Sequence, residues 1–159
     1  MPQLADKDAC DLLDADHIAV KHLFVDYARL AMAAPADSAA ERDALAQKIC
    51  SELTVHAQIE EEIFYPALRA ALGADDLVDE AIAEHQEAKE LIAQIEAAGS
   101  AGPQKDDLVS LLAREIEQHV KEERDFLFTK ARAASGLDLV ELGRKLKDRQ
   151  QELTSGGPA

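Results

Sequence analysis

Tryptophan is absent from this 159-residue chain, tyrosine occurs twice and phenylalanine four times. With aromatics at 4% and hydrophobic residues at 47%, any core has to be built from aliphatic side chains, alanine above all. Glycine occurs seven times, proline five times, and β-branched residues form few runs. Sheet is therefore disfavoured and the composition is that of a helical protein. Cysteine is limited to Cys10 and Cys50 without CxxC spacing, which argues against a disulfide framework or a zinc knuckle. Cys50 falls in a helical pattern beside Ile49 and Leu53 and reads as a small core residue. Long apolar runs are missing too: none approaches the ~20 residues that span a bilayer. Met1-Pro2-Gln3-Leu4-Ala5-Asp6 lacks the basic start and apolar core of a signal segment. The expectation is a cytoplasmic protein with no membrane partner. Positive charge is the last shortage, with 17 basic against 32 acidic side chains and a net charge of −15. Such a field disfavours nucleic acid and attracts cations, although most of these carboxylates read simply as a solvated helical surface.

What is present is helical periodicity, in a chain long enough for one domain with a real core and short for two. The first helix is expected from about Asp8 or Asp14 to Ala33, where Ala34-Pro35 stops it. Its stripe runs Leu13, Val20, Phe24, Tyr27, Ala31, with His17 in the core position between the first two. His22 lies five residues on, about 140° around the helix, and is expected at the surface. Ser38 and Glu41 have capping-box spacing for a second helix, whose seam is Leu45, Ile49, Leu53, His56, Glu60 and then Ile63 or Phe64. Pro66 is expected to kink or end it near Tyr65, with Ala67 to Leu72 a possible continuation before Gly73.

Asp75 or Asp76 is the expected cap of the third helix, which carries Val78, Ile82, His85, Ala88, Ile92 and Ile95 until Gly99. Pro103 suits the first turn of the fourth, with Leu108, Leu112, Ile116, His119, Glu123 and Leu127 on its seam and Gly136 as its end. A last amphipathic helix, over about 138–153, has Asp138 and Glu141 as a second capping box and presents Leu139, Leu142, Leu146 and Leu153 before a Ser-Gly-Gly-Pro tail. Short connections between long helices favour antiparallel neighbours. The fold class is therefore all-α: an up-down-up-down four-helix bundle over about 8–135 with an additional C-terminal helix, in a single domain.

The chemistry lies in a repeat. His56 and Glu60 are four apart and share a helix face, and His119 and Glu123 repeat them sixty-three positions later. Arg69, Ala70 and Ala71 recur at the same offset as Arg132, Ala133 and Ala134, while Asp16-His17 and Lys21 are answered by Glu84-His85 and Lys89. In an antiparallel bundle the middles of the helices share a level, so six metal-capable side chains converge. Burying two carboxylates and four imidazoles without partners costs several kcal/mol, and a central cation removes that cost. A salt-bridged polar core without metal is the bland alternative.

At these residues the chain resembles the hemerythrin-like family, the HHE cation-binding domain. The resemblance covers roughly Asp8 to Ser135 and rests on His17, His56-x-x-x-Glu60, His85 and His119-x-x-x-Glu123. Glu60-Glu61-Glu62-Ile63-Phe64-Tyr65-Pro66 and Glu122-Glu123 are similar to the bacterial members. It implies a non-haem centre of two Fe ions joined by an oxo or hydroxo bridge, with His17 and His56 on one iron, His85 and His119 on the other, and both glutamates bridging. Mn or Zn would suit the same donors.

Oxygen-carrying members keep a further histidine one turn after the third-helix one, and an aspartate five residues after the fourth-helix histidine. Here Lys89 and Arg124 stand in those places, with the bridging Glu123 at four. Each iron then has four protein ligands and, with one bridging oxygen, an open position. Lys89 reads as a packed stem with its charge turned to solvent. The implied partner is a small molecule, namely oxygen, peroxide or nitric oxide, bound for sensing, storage or scavenging by a monomer or homodimer. A di-iron peroxidase or oxidase, an iron reservoir or redox sensor, and a metal-free bundle remain as alternatives. Ile59, Phe64, Ile116 and Leu127 are the expected pocket lining.

Overall fold

Asp8 opens the first helix, α1 (Ala9–Ala33), by accepting from the Asp11 amide at 2.8 Å while the Asp11 carboxylate accepts from the Asp8 amide at 3.2 Å. This reciprocal pair satisfies two of the N–H groups that every helix start leaves free. The computed structural model describes residues 7–73 and 76–155, and the regular elements among them are all helical. Among the described residues no helix is long and apolar enough to cross a membrane. α1 ends where the Ala34 amide donates to the Leu30 carbonyl, just before Pro35.

The capping box expected at Ser38 does not form in α2 (Ala39–Ile59). The Ser38 hydroxyl donates instead to the Leu30 carbonyl and accepts from Arg42 Nε at 2.9 Å. Arg42 is 2% exposed, so its guanidinium competes for every acceptor nearby. It donates to both Asp106 oxygens at 2.6 and 2.7 Å and to the Pro35 carbonyl, and the Tyr27 hydroxyl also donates to Asp106. This charge-assisted knot ties α1, α2 and the later helix that carries Asp106 at one end of the bundle.

Pro66 does not end the second rod. α2 passes through a π-turn (Glu60–Phe64), in which the Tyr65 amide reaches back five residues to the Glu60 carbonyl, and continues as α3 (Tyr65–Leu72). After α4 (Asp76–Ala97), the same happens between α5 (Pro103–Glu122) and α6 (Phe128–Ala133), where a π-turn over Glu123–Leu127 closes from Phe128 to Glu123. Thr129 stands in the second of these rods where Pro66 stands in the first, so proline is not the cause. Both π-turns begin on the glutamate of a His-x-x-x-Glu pair. In an unbroken α-helix Tyr65 would lie about 140° from Glu60; the wider turn lets Glu60, Phe64 and Tyr65 all face inward.

The remaining boundaries are local. Gly73 and Gly99 end their helices with φ of 85° and 77°, which only glycine adopts without strain. The fourth rod stops at Ala133, three residues before Gly136, because Ala134 turns extended. Asp138 accepts from the Glu141 amide and opens α7 (Leu139–Ser155). Asp75, one of the two expected caps of α4, and the tail beyond Ser155 lie outside the described residues.

The rods α1, α2–α3, α4 and α5–α6 form the up-down-up-down bundle, with α7 laid against α1 and α2. Its apolar interior is split in two. A lower cluster of Leu13, Ile59, Phe64, Leu68, Val78, Leu127 and Phe128 extends to Leu142 and Leu146 of α7. An upper cluster gathers Val20, Ile49, Leu53, Ile92, Ile95 and Leu112. Phe24, Leu45, Ile82, Leu108 and Ile116, expected on the seams, are half-buried at the margins of these clusters. Between the clusters lies the polar layer.

Candidate metal centre

His17, His56, His85 and His119, one from each rod, meet at one level with Glu60 and Glu123, and none of the six is more than 8% exposed. His22 is exposed and plays no part. His17 Nε2 lies 3.1 Å from His56 Nε2 and 3.1 Å from Glu123 Oε1. Glu60 Oε1 lies 3.2 Å from His56 Nε2 and 3.1 Å from His85 Nε2. Glu123 Oε2 lies 3.7 Å from His119 Nε2. Each carboxylate therefore touches both histidine pairs, and two groups of donors form: His17, His56, Glu60 and Glu123, and Glu60, His85 and His119.

The outer nitrogens explain the arrangement. Every Nδ1 has a carboxylate partner: Asp14 for His17 at 3.3 Å, Asp16 for His56 at 3.0 Å, Glu61 for His85 at 2.8 Å, Glu84 for His119 at 2.7 Å. An imidazole that donates from Nδ1 turns the lone pair of Nε2 inward. With both Nδ1 atoms donating, the lone pairs of His17 and His56 face each other at 3.1 Å, an arrangement that a cation or a proton between them relieves. Both oxygens of Glu60, Oε1 of Glu123 and Nε2 of His119 make no hydrogen bond despite full burial. They lie close to nitrogens without being aimed at them, as donors do when they converge on a point between them. Two donors each about 2.1 Å from a shared ion, at angles between about 90° and 110°, lie about 3.0 to 3.4 Å apart. The observed 3.1 to 3.2 Å contacts match that spacing, with His119–Glu123 wider at 3.7 Å, so the donor set fits cation binding.

The same donor set also attracts protons. Burial lowers the affinity of His85 for a proton, but Glu60 and Glu61 overcome it and raise its pKa to about 9. His56 and His119 are raised against burial in the same way, chiefly by Glu60 and by Glu84 respectively. The two glutamates cannot both carry an unscreened charge here. Burial and the neighbouring Glu60 push Glu123 up; burial acts on Glu60 too, yet His56 beside it brings its pKa well below the usual range.

The pinning carboxylates and one aromatic escaped the sequence reading. Asp16 and Glu84 each precede a histidine of their own helix and pin the histidine of a neighbouring one, a signal already in the Asp16-His17 and Glu84-His85 repeat. Glu61 pins His85 and accepts from Lys89 Nζ at 3.1 Å. Lys89 thus keeps its charge outside, as expected, and braces His85 through Glu61. On the opposite side Arg124 pairs with Asp14, which pins His17. Tyr65 donates from its hydroxyl to Glu123 Oε2 at 2.8 Å and lies 3.3 Å from His85 Nε2. Burial and the Glu123 and Glu60 charges hold that phenol well above its ordinary range, so it keeps its proton. Its counterpart in the repeat is Phe128, which stacks on His17.

A cavity of about 30 Å³ lies against the imidazoles, walled by Leu53, Ala57, Ala88, Ile92, Ile116 and Val120. It is the size of a single water or diatomic molecule. A second recess of about 200 Å³ opens beside His119 and Glu123, with Glu80, Glu84 and Glu122 at its mouth and Leu127 in its wall. Of the four expected lining residues Ile116 and Leu127 line these spaces, whereas Ile59 and Phe64 pack into the lower cluster.

A bundle with this buried set of imidazoles and carboxylates defines a metal-binding helical protein. The Hemerythrin HHE cation binding domain matches residues 8–131, and the chain belongs to that family. It is similar to the crystal structure of a hemerythrin HHE cation binding domain-containing protein from Mycobacterium kansasii, with a TM-score of 0.75 and 26% identity over 94% of this chain and 89% of that one. It is also 38% identical over 85 residues to a DNA nickase of Nostoc sp., covering 54% of this chain and 24% of the relative. The chain thus spans about a quarter of that relative's length.

Proposed function

We propose that His17 and His56 hold one iron, His85 and His119 a second, with Glu60 and Glu123 bridging them, and that the pair binds oxygen or a related small molecule such as peroxide or nitric oxide. The observation that carries this reading is the set of inward lone pairs: four imidazoles pinned at Nδ1, and two buried carboxylates with oxygens left without hydrogen bonds. Imidazole with carboxylate suits iron, manganese or zinc. A pair of irons held there would supply electrons to oxygen or peroxide. The protein supplies the rest. The cavity of about 30 Å³ matches a ligand of two or three atoms. Tyr65 holds a proton on Oη against Glu123 Oε2 and fixes that carboxylate in place.

The same phenol favours a second reading, peroxidase-type turnover, because it sets a hydroxyl donor 2.8 Å from Glu123 Oε2 within the centre. Nucleic acid is not proposed as a partner, since a net charge of −15 repels phosphate. Metal analysis with an optical spectrum before and after exposure to oxygen and peroxide tests the proposal. Two irons per chain and a spectrum that responds to either oxidant are expected. Fewer than one metal per chain after expression in iron-replete medium would sink it. A stable, reversible oxygen spectrum points to carriage, and catalytic loss of peroxide to turnover.

A further inference from the structure

α7 lies beyond the residues matched by the family and outside the four-helix bundle, yet it reaches the metal layer. The Gln150 side-chain amide donates to Asp16 Oδ2 at 2.9 Å and to Asp16 Oδ1 at 3.1 Å. Asp16 Oδ2 is the atom that pins His56 Nδ1 at 3.0 Å. Next along α7, Arg149 pairs with Glu62 in the first π-turn at 2.8 Å. On the other histidine pair the repeat partner of Asp16 is differently placed. Glu84 pins His119 at 2.7 Å, and its neighbours are the carboxylates of Glu80 and Glu122, within 4.8 Å. One pinning carboxylate is held by an amide, and the other sits among carboxylates.

We propose that Gln150 is a positioning residue for the metal pair: it fixes Asp16, and through it His56, so that the His17/His56 position grips its ion more tightly than the His85/His119 position. The physical ground is that a metal-bound imidazole is oriented, and made more basic, by the carboxylate behind it. A carboxylate tethered through both oxygens cannot swing away. The inference rests on the two-metal reading of the site.

The test is ferrous iron added anaerobically to the full chain in competition with a chromogenic chelator. The wild type should show two steps of unequal affinity. Gln150→Leu, which keeps the bulk and removes the donor, should weaken the tighter step about tenfold and leave the weaker one unmoved. Gln150→Glu, which sets a carboxylate against Asp16, should weaken it further. Arg149→Gln removes the other α7 contact and keeps Gln150, so both steps should match the wild type. The metal-free thermal midpoint of Gln150→Leu should stay at the wild-type value. A wild type that takes up no iron defeats the two-metal reading and this inference together. Two irons in the wild type, with both steps unchanged in Gln150→Leu, defeat this inference alone. So does an equal weakening of both steps with a lowered metal-free midpoint, because that is the signature of a loosened fold.

Discussion

Each histidine of the centre is defined by two contacts of opposite kind, a carboxylate that fixes Nδ1 and a crowd of acceptors around Nε2. In the metal-free protein this environment binds protons. His85 has a pKa of about 9 in the folded chain against 6.5 for an ordinary imidazole, and His56 and His119 are raised in the same direction. A raised folded-state pKa stabilises the fold fully below the unfolded value and loses that contribution as pH rises through the folded value. Denaturation of the chelated protein should therefore show stability falling between about pH 6.5 and pH 9. Iron uptake should strengthen over the same range, since metal competes with those protons. A flat metal-free profile would mean that the carboxylates do not act on the imidazoles as the geometry requires.

At the scale of elements, the π-turns and α7 carry the departures from simple helix packing. Each π-turn starts on the glutamate of a His-x-x-x-Glu pair and rotates the next turn of helix inward, which is how Tyr65 comes to face Glu123. α7 depends on close approach at one residue. A Cβ added at Gly143 would meet the Ala9 nitrogen and the Lys7 carbonyl oxygen at 3.0 Å, and both are backbone atoms that cannot swing aside. In an open helix position, replacing glycine by alanine stabilises by about 1 kcal/mol. Here Gly143→Ala should reverse that sign and cost about 1 to 2 kcal/mol, because overpacking outweighs propensity. Chemical denaturation of the metal-free variant reads the sign directly.

At the scale of the molecule, two apolar clusters stand above and below a polar layer that is least stable on its own. Metal binds only the folded arrangement, so it should stabilise by about 2.7 kcal/mol at about a hundredfold excess over its dissociation constant. Chelation should lower the thermal midpoint by roughly 5 to 10 °C. Part of that loss should return with added salt, because a chain of net charge −15 repels itself and ions screen the repulsion. An unchanged midpoint on chelation would leave the layer as a self-sufficient ion-pair network.

Periodicity alone determined the helical rods, the bundle and the six inward residues, because an i, i+3, i+4 stripe interrupted by His or His-x-x-x-Glu leaves those side chains nowhere to go but the core. The repeat of Asp16-His17 in Glu84-His85 also held two of the four pinning carboxylates, although nothing local says that a residue pins its neighbour helix's histidine rather than its own. Tertiary structure alone decided the rest. Arg42 is buried because Asp106, sixty-four positions away, comes within 2.6 Å and takes the charge. Ser38 fails as a cap for the same reason. Pro66 is accommodated and Tyr65 joins the site because the helix widens on Glu60, a backbone choice made by what packs against it. Gln150 reaches Asp16 across 134 residues of chain, and no spacing rule spans that distance.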